Sequence, residues 1–134
     1  MKLCPVSKRK ASYCTTEVVD FCKKFKQFVK QKACMSLTAP QIGQSISVMA
    51  VKYRRPTRVY VLVNPAIKAA GKKLVVSKER TLDVNALRVI TKKRPTWVIL
   101  TYDTPDLKHR RQRLFLGRRA AAALHAYDIL QGEL

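Results

Sequence analysis

Apolar residues recur at helical spacing near the start of the chain and at strand spacing through its middle. Val18, Cys22, Phe25 and Val29 follow at steps of four, three and four, with lysines on the opposite face. That period predicts a helix with Thr15 or Thr16 as N-cap, Glu17 and Asp20 in its first turn, and an end near Lys32. Beyond it the period shortens. "SISVMAVKY", "RVYVLVNP", "KKLVV", "ALRVI", "TWVILTY" and "RLFL" are short β-branched or aromatic runs, separated by turn formers in "RRPT", "AAGKK" and "DTPD". Gly117 breaks the last run, and "RRAAAALHAYDILQ" follows as a strong helix former with Gly132 as its C-cap. The order helix, strands, helix predicts an α+β domain, its helices packed on a mostly antiparallel sheet. Residues 1–14 read as a basic N-terminal extension and residues 15–134 as the domain.

Composition supports a folded chain. Hydrophobic residues make up 47% of the 134, enough for a packed core, and no apolar run approaches the ~20 residues of a membrane span. A soluble protein is expected. Charge changes the picture more. Lys and Arg number 28 against 8 Asp and Glu, a net charge of +20. The basic residues spread over many segments, where a membrane-surface protein gathers them on one amphipathic helix. That spread favours a polyanion on several sides, and nucleic acid above all. The candidate RNA contacts are the clustered cations: Lys8, Arg9, Lys10, Arg54, Arg55, Lys92, Lys93, Arg94, Arg110, Arg111, Arg113, Arg118 and Arg119. Arg118 and Arg119 stand where a helix dipole disfavours cations unless an anion compensates. Aromatics are few, at 7%, so contact with a structured RNA backbone is favoured over stacking on single-stranded bases. Cys4, Cys14, Cys22 and Cys34 contain no C-x-x-C pair, which argues against a zinc knuckle, and Cys22 falls on the helix's apolar face.

Three stretches belong together. "CMSLTAPQIGQ" has a small-residue turn, then Ala-Pro-Gln and Ile-Gly before a strand. "KERTLDV" follows "VLVNP", and "LHAYDILQG" lies in the final helix. In order and spacing they resemble the three signatures of peptide deformylases, G-x-G-x-A-A-x-Q, E-G-C-L-S and Q-H-E-x-D-H-L-x-G. Leu37, Ala39 and Gln41 match the first. Glu79 and Leu82 match the second, and His125, Asp128, Leu130 and Gly132 the third. Cys34, Ser36, Thr38, Arg80, Thr81, Asp83, Leu124, Ala126 and Ile129 depart from the pattern.

The resemblance implies a deformylase-like fold over about residues 15–134. In that family the E-G-C-L-S cysteine and the two histidines of the helix hold a divalent metal. The helix glutamate moves the proton, while the Gln side chain and the Leu backbone N–H steady the oxyanion. Carried over, the ligand positions are Thr81, His125 and Ile129, the acid/base position is Ala126, and the oxyanion positions are Gln41 and Leu82. A catalytic metal needs about three protein ligands and an open position, and only His125 is a good donor here. Ala126 moves no proton. The expectation is therefore vestigial positions, no metal or other cofactor, no enzyme activity and no small-molecule substrate.

What the resemblance then implies is a structural protein bound to ribosomal RNA and neighbouring ribosomal proteins. Because deformylases act in bacterial-type translation, the favoured setting is the ribosome of the mitochondrial matrix, ahead of a bacterial cytoplasm or a plastid. The alternatives are a divergent metal-dependent deformylase and a transient ribosome assembly or translation factor.

Overall fold

Alternation along two neighbouring strands divides the core into two halves. In β2 (Val48–Arg54), Val48 and Ala50 point to one face while Met49 and Val51 point to the other. In β3 (Thr57–Ala70), Val59, Val61 and Val63 share the first face, and Tyr60 and Leu62 the second. Successive strand residues face opposite ways, so a run apolar at every position needs cover on both faces. α1 (Val19–Lys30) covers the first face with Cys22, Phe25 and Val29. α2 (Arg118–Leu130) covers the second with Ala120, Ala123, Leu124, Ala126 and Leu130.

The remaining elements are β1 (Ser36–Thr38), a 3-10 turn (Pro40–Ile42), β4 (Leu74–Thr81), β5 (Arg88–Pro95), β6 (Trp97–Asp103) and β7 (Arg110–Leu116). These come from a computed structural model that describes residues 1–4, 9–15, 18–54, 57–81 and 88–133, the side chains of Arg54, Thr81 and Arg88 excepted. Five strands pair in the order β1-β2-β3-β6-β7, all antiparallel, and β4 with β5 forms a separate antiparallel ribbon. The α+β architecture is as expected, with a helix at each end.

Several boundaries differ from expectation. α1 begins at Val19, with Val18 at the N-cap and no side-chain cap, so Thr15 does not start it; Thr16 and Glu17 lie outside the described residues. Its C-terminal carbonyls are met by a lysine from the sheet. Lys52 Nζ donates to the carbonyls of Val29, Lys30 and Lys32 at 3.3, 2.8 and 2.8 Å. β3 runs beyond the expected run, which ends at Pro65, to Ala70, where the turn expected at "AAGKK" takes over, because Ala66–Ala70 pair with β6 after a register shift near Asn64. α2 ends as the glycine signal predicts. Gly132, at φ 74°, donates to the Ile129 carbonyl, and Glu133 donates to that of Asp128, the paired bonds of a Schellman stop.

Described residues of the stretch 1–14, expected as an extension, pair with the rest of the chain. Ala11 N–H donates to the Leu130 carbonyl at 2.8 Å, and Ser12 bridges to Ile46. Ala11 and Cys14 are buried. Asn64, at φ 50°, fixes the segment from below: Oδ1 accepts from Cys14 N–H at 2.8 Å, and Nδ2 donates to the Cys14 carbonyl at 2.9 Å. The backbone pairs across the core's edge although its side chains carry the signature of an exposed arm. Cys22 sits in the core as expected, and burial together with the Cys14 thiol pushes its pKa up to about 11.

Candidate functional site

α2 and the ribbon meet through charge. On β4 and β5 the buried described residues are Glu79 and Arg94, a carboxylate and a guanidinium. Arg94 Nε donates to Glu79 Oε2 and its Nη2 to Oε1, both at 2.8 Å, a two-pronged pair. Its Nη1 donates to Asp128 Oδ2 at 2.8 Å, and Lys92 Nζ reaches the same oxygen at 2.8 Å. His125 Nδ1 lies 3.1 Å from Glu79 Oε1. One patch thus joins two acids and two cations from the ribbon and α2, with the imidazole against Glu79.

The spacing explains how. His125 and Asp128 lie three residues apart and share a face of α2. Arg94 and Lys92 alternate with Lys93, which pairs with exposed Val76 on the ribbon's outer face. Burial opposes ionisation of Glu79. Hydrogen bonds from Arg94, His125 and Ser77 and the Arg94 charge outweigh it, bringing the pKa from 4.5 to about 2. Burial likewise disfavours the Arg94 cation, and its bonds to Glu79 and Asp128 raise its pKa instead. With Glu79 ionised, His125 is the donor in their bond, so the proton is on Nδ1.

The other described positions aligned with the deformylase signatures lie on α2 and on the 3-10 turn. Ala126 is 0% exposed and Ile129 1%, both packed in the core. Gln41 is 3% exposed on the 3-10 turn, and its Oε1 accepts from the Thr38 N–H and the Thr38 hydroxyl at 3.0 Å each. Leu82 and the Thr81 side chain lie outside the described residues. Among the described residues the donor set does not fit a catalytic metal. A carboxylate holds the His125 ring as it would a ligating imidazole, but one turn on Ile129 carries no donor atom. Among the described residues no three His, Cys, Asp or Glu side chains are grouped to hold an ion.

The basic candidates do not form one surface. Arg94 is corrected outright: at 5% exposure and fully engaged, it is a structural ion-pair partner, which its place in the run "KKR" hid. Lys92 is half-committed to Asp128. Arg110 bonds Asp103 at 3.0 Å as well as Thr101 and the Asn64 carbonyl. Arg9, Lys10, Lys93, Arg111 and Arg118 are exposed. Lys8, Arg55 and the Arg54 side chain lie outside the described residues. Arg113 stacks over Tyr60 and Arg119 over Tyr53, a pairing that no sequence period signals.

Comparison with known proteins places this geometry. The chain resembles solved peptide deformylases along nearly its whole length. That of a Vibrio parahaemolyticus bacteriophage, in complex with actinonin, superposes with a TM-score of 0.84 at 21% identity, over 98% of each chain. Peptide deformylase 1B of Arabidopsis thaliana gives 0.79 at 24% identity, over 100% of this chain and 78% of its own. A class I type b enzyme of Acinetobacter baumannii gives 0.81 at 20% identity, over 98% and 96%. No curated protein sequence matches. The sequence profile described as polypeptide deformylase matches residues 4–134, so the chain belongs to the polypeptide deformylase family.

Proposed function

We propose that this chain is a deformylase-fold protein without deformylase activity, serving as an RNA-bound structural component of the mitochondrial ribosome. One observation carries the reading. Where the family's chemistry asks for a proton-transferring carboxylate and a second imidazole, α2 presents Ala126 and Ile129, both closed into the core. The charge supports it. A net +20, with exposed cations on several separate elements, suits a protein packed among RNA helices and held by salt-sensitive phosphate contacts. An ancestor acting on nascent chains was already at the ribosome, where neighbouring ribosomal proteins complete its surroundings.

The test is stoichiometry. Purified mitochondrial ribosomes should contain one copy per particle, released only at high salt; free migration at low salt would sink the reading. A divergent deformylase is the second reading, favoured by family membership and by Gln41, which still stands buried on its turn. Stoichiometric bound metal with turnover of a formyl peptide would put it in first place.

A further inference from the structure

Around the N-terminal end of α2, two arginines and two tyrosines form a second cluster. The guanidinium carbon of Arg113, on β7, lies 3.9 Å from the centroid of the Tyr60 ring. That of Arg119, in the first turn of α2, lies 4.5 Å from the Tyr53 ring. The two rings meet edge to face with centroids 5.4 Å apart, which joins the pairs into one unit. All four side chains are half-buried. A guanidinium held over a ring by cation–π attraction has fewer orientations open to it, which narrows where its N–H groups point.

Three features of the cluster are unbalanced. Neither guanidinium forms an ion pair among the described residues. The Nε atoms of these same two arginines are the buried side-chain nitrogens and oxygens that have no hydrogen-bond partner among the described residues. Elsewhere each nitrogen of buried Arg94 has a partner, so these two guanidiniums stand out as under-bonded, with their Nη edges left to meet an acceptor from outside the chain. The third is the helix end. α2 starts after Gly117 with no side-chain cap and no acid in its first turn, although Arg118 and Arg119 add charge to its positive pole. A single kind of ligand answers all three: an oxyanion that accepts from guanidinium edges and offsets both cations.

We infer that Arg113 and Arg119, braced on Tyr60 and Tyr53, form a pre-set clamp for phosphodiester groups of a structured RNA backbone. The inference rests on the RNA-binding reading above. It goes beyond bulk attraction, because the rings hold the forks in place before the phosphate arrives and reduce the cost of ordering them.

Binding of a fluorescent 20-base-pair RNA duplex, followed by anisotropy from 50 to 300 mM KCl, tests it. The double variant R113K/R119K keeps every charge but loses the fork and the stack, and should bind about five- to tenfold more weakly at 150 mM. In R113Q/R119Q the slope of log affinity against log salt should fall by nearly 2, at roughly 0.9 for each phosphate no longer neutralised. Circular dichroism establishes that both variants are folded. Lysine-variant affinity within twofold of wild type, or an unchanged slope, overturns the clamp while the RNA reading stands. No binding by wild type at 50 mM overturns both.

Discussion

Substituting Glu79→Gln should flatten the acid limb of the protein's stability. The carboxyl is 6% exposed, and its pKa lies near 2 in the fold against an ordinary 4.5. At ~1.4 kcal/mol for each unit, ionised Glu79 contributes about 3 kcal/mol at neutral pH. Because the folded value is the lower one, this contribution is complete above the unfolded value and is lost as pH falls toward 2. At pH 3 about 2 kcal/mol of it is gone. Urea unfolding followed by circular dichroism at pH 6 and pH 3 reads the effect. Wild type should lose about 2 kcal/mol more than E79Q between those conditions. Equal losses would refute the assignment of acid sensitivity to this carboxylate. Two companions fix the scale. Arg94→Met strands two poorly exposed carboxylates and should cost about 3–5 kcal/mol at pH 7, whereas Lys92→Met removes a half-exposed cation and should cost under about 1.

Further outcomes follow from single contacts. Lys52→Met removes the donor serving three carbonyls at the end of α1 and should lower stability by about 1–2 kcal/mol in denaturant titration. Asn64→Ala severs both bonds to Cys14, so amide exchange over residues 9–15 should accelerate at least tenfold; unchanged protection would show that the segment is held otherwise. Gly71→Ala places a methyl group 2.8 Å from Trp97 Nε1, a clash worth about 1–3 kcal/mol. Trp97 is the sole tryptophan, so a shift in its emission should accompany the loss.

Much of the fold was legible because it depends on period. The α1 stripe, the strand runs and the Gly132 stop are local patterns, and each marks an element that is present, although several ends lie elsewhere. The N-terminal segment was not legible, because its place depends on one backbone register with Ile46 and on Asn64, fifty residues from Cys14. The candidate site divides the same way. Gln41, His125, Ala126 and Ile129 were found from their resemblance to known motifs, and all are buried positions of the same domain. Arg94 was misread because three cations in a row look alike in one dimension, while strand alternation turns the middle one outward and its neighbours inward. The Arg113–Tyr60 and Arg119–Tyr53 pairs join residues far apart in the chain, so only the folded arrangement brings them together.

The β4–β5 ribbon has one further consequence. Neither apolar cluster includes a described residue from it, and Leu74, Val75, Val76 and Val89 stay exposed. It is fastened to the rest by ions where the other strands are fastened by hydrocarbon. Such a fastening responds to proton concentration, whereas hydrocarbon packing does not. The ribbon is therefore a unit of opening in its own right, one that should part from α2 in acid before the helix–sheet–helix stack yields. Amide exchange at pH 3 should show it: β4 and β5 exchanging ahead of β2 and β3, or, against this view, all four together. The fold would then depend on Glu79, Arg94 and Asp128 to hold the ribbon that no apolar cluster holds.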